Sequence, residues 1–193
     1  VPSKKPKGKP PPRTSPSGGE YVILGLDPGE SGAVARMLCG RYGVVSVESH
    51  PMPDTDGDKV DLLRDLVPML GAMPFMAYLE LVTGYIPAAG KQPGSRMFNF
   101  GVSYGVLRMA LCALRIPYET VQPHQWQKKL SIPKMDRDRE TKDEFKRRLK
   151  EKARQLYPQQ NWTLKTCDAV LIAEYGRRKF DANATVQEEG GRK

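Results

Sequence analysis

Two strand-like runs, Gly32–Leu38 (GAVARML) and Tyr42–Ser49 (YGVVSVES), are joined through the turn pair Cys39-Gly40, too tightly for anything but an antiparallel hairpin. That pairing constrains what can be built around it. Before the hairpin, Tyr21–Asp27 (YVILGLD) is an aliphatic, β-branched run that reads as a buried strand closing on an acid. After it, a polar loop over Pro51–Asp58 leads to Lys59–Leu70, where Val60, Leu63, Leu66, Val67 and Leu70 fall at helical spacing and Gly71 supplies a stop. Met76–Leu81 reads as a fourth strand and Tyr118–Val121 as a fifth. Helices are expected over Gly101–Leu114, Asp143–Tyr157 and Thr166–Arg178. A meander of three strands feeding alternating units predicts an α/β fold, a mixed five-stranded sheet flanked by helices.

Charge divides the chain of 193 residues, which carries a net charge of +9. Residues 1–19 hold Lys4, Lys5, Lys7, Lys9 and Arg13 without an acid, together with six prolines and almost no bulky apolar residue. Such a segment cannot offset the entropy of ordering, so residues 1–20 are expected to be a disordered basic arm. One folded domain is expected over 21–180 and a flexible tail over 181–193. Cys39, Cys112 and Cys167 are odd in number and lack metal-binding spacing, which argues against a disulfide framework and a zinc site, and for a reducing compartment. No run approaches the ~18 apolar residues of a membrane span, so a soluble protein without a membrane partner is expected.

Three carboxylates stand at element ends: Asp27 in YVILGLDPGESG, Glu80 in FMAYLELV and Asp168 in LKTCDAVLIAEYG. Acids scattered in sequence and gathered by a fold are how proteins hold hard divalent cations for phosphodiester chemistry. Each also has a plainer reading. Asp27 with Gly29 and Gly32 could form a tight turn, or a phosphate cradle of the kind found in actin-like ATPases. Glu80 could be a solvated strand end, although an acid after Met-Ala-Tyr-Leu is expensive unless ligated or solvated. Asp168 would be favoured at a helix N-terminus by the dipole alone. Glu174 reads as a surface or salt-bridge residue, and His50 and His124 as loop residues outside the chemistry.

Basic residues surround these acids. Between Lys128 and Arg154 there are 12 basic and 6 acidic side chains. They read either as a solvated, salt-bridged helix or as phosphate contacts, among them Lys128, Lys129 and Lys146. Trp126 reads as a core anchor from which Lys128 and Lys129 project. The segment Tyr85–Phe98 is too long for a core connection and offers Lys91, Gln92, Ser95 and Arg96 for hydrogen bonds and Phe98 for stacking on a base. Phe98 and Phe100 could equally be core residues. The Gly101–Leu114 helix has an apolar face wider than one small sheet needs, and is the candidate dimer surface.

Taken in order, ILGLDPGESG, YLELV, FNFGVSYGVL, IPYETVQPHQWQKKL and DAVLIAEYG resemble the RuvC-type Holliday junction resolvases, most closely the branch of phages, some bacteria and plant plastids. The resemblance spans about residues 21–178. It implies a ribonuclease H-like fold and a homodimeric endonuclease that places symmetric paired nicks in a four-way DNA junction. It also implies two Mg2+ ions per site, replaceable by Mn2+, held by Asp27, Glu80 and Asp168. Many relatives carry a further Asp or His shortly before the acid of the last helix, whereas this chain has Lys165-Thr166-Cys167. Either Lys165 contacts the scissile phosphate, as a catalytic residue, or a water completes the metal shell. Two other readings stand beside the resolvase: a nuclease of the same fold acting on an RNA–DNA hybrid or a transposon end, and a noncatalytic junction-binding protein.

Overall fold

A computed structural model describes residues 19–67, 73–81 and 94–190, with all of their side chains except those of 95–97 and 184–190. The elements run β1 (Tyr21–Asp27), β2 (Ala33–Gly40), β3 (Gly43–Pro51), α1 (Asp56–Leu66), β4 (Phe75–Glu80), α2 (Gly94–Ala113), β5 (Tyr118–Val121), α3 (Pro123–Lys129), α4 (Lys142–Leu156) and α5 (Cys167–Gly190). The strands form one mixed sheet in the order β3-β2-β1-β4-β5. The β1–β2 and β2–β3 pairs are antiparallel, and the β1–β4 and β4–β5 pairs parallel. This is the α/β architecture that the hairpin and the alternating units predict.

β1 lies at the centre of the sheet and is covered on both faces, which is why its apolar run is unbroken. Side chains alternate between the faces with period two. Tyr21 and Ile23 join the layer containing α5, Trp126 of α3 and Leu149 of α4. Val22, Leu24 and Leu26 join the layer of α1 and α2, with Leu63, Leu107 and Leu111. On β4 the same alternation sends Met76 and Tyr78 to the α5 layer and Ala77 and Leu79 to the other.

The α5 helix sits on the sheet with its backbone almost touching β1. A Cβ at Gly25 would overlap the Ala169 carbonyl oxygen and the Ala173 amide nitrogen. A Cβ at Gly176 would run into the Tyr78 ring. Ala169, Ala173 and Gly176, at helical spacing, therefore make a seam of small residues along which helix and sheet approach closely. The seam starts at the residue after Asp168.

Several boundaries differ from the sequence reading, each for a local reason. The hairpin turn is Arg41-Tyr42 rather than Cys39-Gly40, because Gly43, at φ 122°, accepts the left-handed backbone there. The α1 helix starts at Asp56, inside the segment read as a polar loop, because the Thr55 side chain caps it by accepting from the Asp58 amide at 3.1 Å. The expected stop at Gly71 lies outside the described residues. The α2 helix begins at Gly94, so Phe98 and Phe100 are helical. The α3 helix was not anticipated, although Pro123 in its first turn and the Gln122–Gln125 capping box are legible start signals. α5 runs through most of the expected C-terminal tail, to Gly190. His50 lies on β3 and His124 on α3, not in loops. No helix among the described residues is long and apolar enough to cross a membrane.

Candidate active site

Strand register and side-chain parity bring the first two carboxylates together. β1 and β4 run parallel with Leu26 opposite Leu79. Asp27 and Glu80 each follow by one residue, so they stand side by side on neighbouring strands, about 4.8 Å apart in backbone. Parity sends both to the α5 side: Asp27 continues the Ile23, Gly25 series and Glu80 the Met76, Tyr78 series. The third carboxylate, Asp168, is in the first turn of α5, and the Gly25–Ala169 contact holds that turn against β1. Thus a glycine two residues before Asp27 sets how close Asp168 can come.

The carboxylates are crowded by protein and by one another. Asp27 is pushed up to about 6, first by burial and then by the charge of Asp168, with Lys146 and the Gly29 amide pulling the other way. That amide donates to Asp27 Oδ1 at 3.4 Å. Glu80 is pushed up to about 8 by burial and then by the charge of Asp27. The indole of Trp126 opposes this rise, donating from Nε1 to Glu80 Oε1 at 3.0 Å. Asp168 is paired with Lys146 of α4, Nζ to Oδ2 at 2.5 Å. Burial disfavours the Lys146 ammonium, yet Asp168, and then Asp27, hold its pKa above the usual lysine value. One cation thus faces three acids.

Among the described residues, no group of three or more His, Cys, Asp or Glu side chains is arranged to grip a metal ion. Lys146 takes Asp168, and Trp126 takes Glu80. The donor set nevertheless fits hard divalent cations: it offers oxygen only, from two strand ends and a helix start, and the charge of Asp168 raises the pKa of Asp27 as the charge of Asp27 raises that of Glu80. A cation would relieve that mutual repulsion. Cys167 stands beside the set. Its thiol is pushed up to about 12, first by burial and then by Asp168, and it donates from Sγ to Asp168 Oδ1 at 3.3 Å.

Lys165, read as a contact to the scissile phosphate, is exposed, and no hydrogen bond or ion pair joins it to Asp27, Glu80 or Asp168 among the described residues. The ammonium paired with Asp168 is that of Lys146, expected only as a DNA contact. Lys128 and Lys129 are exposed at the end of α3, beyond the buried Trp126. Phe98 is 71% exposed on α2 rather than in a loop. Ser95 and Arg96 lie on α2 with side chains that are not described, and Lys91 and Gln92 lie outside the described residues.

Three features of the site went unread in the sequence. The anchor role of Trp126 was expected but its hydrogen bond to Glu80 was not. Ser103 of α2 donates to the Pro28 carbonyl at 3.0 Å, tying the turn after Asp27 to the helix behind it. Glu174, read as a surface or salt-bridge residue, is salt-bridged as expected, but it is buried and its link to α4 was not foreseen. It accepts from Arg177 at 2.7 Å, from Arg178 at 2.6 Å and from Tyr157 at 2.7 Å, clamping the end of α4 to α5. Burial alone would raise its pKa, but these partners hold it below the usual value.

No family model matches the sequence, and no curated protein is similar to it in sequence. The fold is similar to that of RuvC from Thermus thermophilus. The structure of that protein in complex with Holliday junction substrate matches at 14% identity and TM-score 0.50, covering 84% of this chain and 95% of the other. A second Thermus thermophilus RuvC structure matches at 16% identity with the same TM-score and coverage. The mixed five-stranded sheet and its flanking helices therefore form a RuvC-like, ribonuclease H-like fold.

Proposed function

We propose that this chain is a divalent-metal-dependent endonuclease that resolves four-way DNA junctions by paired nicks, working as a homodimer. The observation that carries the reading is the meeting of Asp27, Glu80 and Asp168 from β1, β4 and α5 in one electrostatically coupled centre. Their fold is similar to that of a protein solved with a Holliday junction. The three acids would hold two Mg2+ ions, or Mn2+ in their place, which supply activation of water and stabilisation of the leaving 3′ oxygen.

The chain's own residues prepare the rest. Lys146 balances part of the acidic charge and can exchange its ion pair with Asp168 for one with an incoming phosphate. Trp126 fixes the Glu80 rotamer, and the Gly29 amide that of Asp27. Lys128 and Lys129 contact phosphates beside the centre, while Phe98 stacks on an unpaired base, with Lys91, Gln92, Ser95 and Arg96 as further junction contacts. Dimerisation uses the outer face of α2, where Phe98, Val102 and Met109 are exposed at helical spacing around Gly105.

The deciding experiment is cleavage of a synthetic four-way junction in Mg2+ and in Mn2+, beside a matched duplex and an RNA–DNA hybrid. Selective junction cleavage, lost in Asp27→Asn and Glu80→Gln while binding persists, is the expected result. Equal cleavage of the hybrid would favour a different nuclease of the same fold. Tight junction binding without cleavage in either metal would leave a binding protein.

A further inference from the structure

The α4 helix carries a row of cations that leads away from the carboxylates. Lys142, Lys146, Lys150 and Arg154 recur at every fourth residue. Such positions form one inclined ridge on a helix, with a rise of about 6 Å per step. That step is of the order of the separation between successive phosphates on an extended nucleic-acid strand. Lys146 occupies the second place and already holds Asp168. Lys150 and Arg154 have no hydrogen-bond or ion-pair partner among the described residues, unlike Arg148 on another side of α4, which Glu140 engages at 2.7 Å.

The row ends in a concavity. Lys150 and Arg154 line it together with Gln159, Gln160 and Asn161 from the connection to α5, and Trp162 completes the wall. The wall is rigid: Trp162 is buried, donates from Nε1 to the Tyr157 carbonyl at 2.9 Å and packs edge-on against the Tyr157 ring. No carboxylate lines the cavity, and three amide side chains offer both donors and acceptors. The helix beneath is fixed at its start by the Thr141–Glu144 capping box and along its length by buried Leu149 and Ala153. A solvated helix needs neither unpaired cations on one ridge nor an acid-free pocket at its end.

We propose that this ridge is the track of the DNA strand on one side of the scissile phosphate: its backbone runs from Lys146 along Lys150 and Arg154, and one nucleotide lodges in the pocket beside Trp162. The proposal rests on the DNA-cleaving reading, and its test separates the two. Binding of the full chain to a synthetic four-way junction is measured without divalent metal over a series of salt concentrations, for wild type, Lys150→Gln, Arg154→Gln and Lys152→Gln. Lys152 is on the same helix but off the ridge, so its variant removes an equal charge from elsewhere.

Removing one lysine–phosphate or arginine–phosphate pair lowers the slope of log affinity against log salt by about 0.7 to 0.9. Lys150→Gln and Arg154→Gln are expected to show that reduction and a several-fold weaker affinity, while Lys152→Gln keeps the wild-type slope. A further variant, Asn161→Ala, is expected to weaken binding without altering the slope, since it removes a polar group and no charge. If wild type binds and cleaves junctions but the ridge variants match Lys152→Gln, the track is overturned and the nuclease stands. If wild type does not bind DNA, both fall.

Discussion

Lys146 Nζ lies 2.5 Å from Asp168 Oδ2, so the cation of the candidate centre comes from α4, at a position 22 residues earlier in the chain than its partner acid. Replacing it by glutamine would remove the positive charge that faces these carboxylates among the described residues. Lys146→Gln is expected to lose on the order of 10²-fold in junction cleavage, as for removal of one preorganised donor to developing charge. Its melting temperature should also respond more to added Mg2+ than that of wild type, which calorimetry in paired metal-free and Mg2+ buffers would reveal. An unchanged Mg2+ response would mean that Lys146 does not compete with metal for these acids.

The raised carboxyl groups set the pH dependence of the metal-free protein. Asp27 moves from 3.8 to about 6 and Glu80 from 4.5 to about 8 on folding. Between those limits the folded state binds more protons than the unfolded one, so their contribution to stability falls as pH rises from the unfolded to the folded values. The loss should amount to a few kcal/mol by pH 8, several degrees in Tm. Asp27→Asn and Glu80→Gln should each flatten the profile and melt above wild type at pH 8 in chelator. Thermal melts at pH 5 and pH 8 check this; parallel profiles for wild type and both variants would contradict it.

Trp126→Phe keeps the ring and removes the donor to Glu80. Since that hydrogen bond opposes the rise in the Glu80 pKa, its loss should move the ascending limb of the pH–rate profile to higher pH. Stability should drop by about 1–3 kcal/mol. A drop in stability with an unmoved pH–rate limb would show that Trp126 serves the core alone.

Gly25→Ala tests the seam between β1 and α5. The added methyl would overlap Ala169 and Ala173 backbone atoms, so it must push the helix away from the strand. A loss of about 1–3 kcal/mol or more is expected. Because Asp168 rides on the displaced turn, cleavage should fall well beyond what the unfolded fraction explains. Activity measured at a temperature where the variant is fully folded separates the two effects.

The sheet was legible because its signals are local. Tyr21–Asp27 and Tyr118–Val121 match the observed strands end for end: burial on both faces leaves β1 an uninterrupted apolar run, while β5, at the sheet edge, keeps Tyr118, Thr120 and Val121 around the charged Glu119. Asp27, Glu80 and Asp168 could be picked out as acids at element ends. What the sequence did not disclose depends on contacts between elements. Nothing near Lys146 marks it as the partner of Asp168, 22 residues further along the chain. Trp126 read as an anchor, but its hydrogen bond depends on how α3 packs beneath β4. The starts of α1 and α3 were different: Thr55 with Asp58, and Gln122-Pro123 with Gln125, are local capping patterns that polar composition obscured.

The pairing of Leu26 with Leu79 has a consequence for the whole molecule. Because side chains alternate, a slip of one residue between β1 and β4 would leave Asp27 and Glu80 on opposite sides of the sheet. No partly slipped sheet could keep a weakened version of the centre. Chains would be either competent or inert, so specific activity would count correctly registered molecules, and a preparation containing misfolded protein would lose turnover number in proportion while its Mg2+ requirement stayed the same.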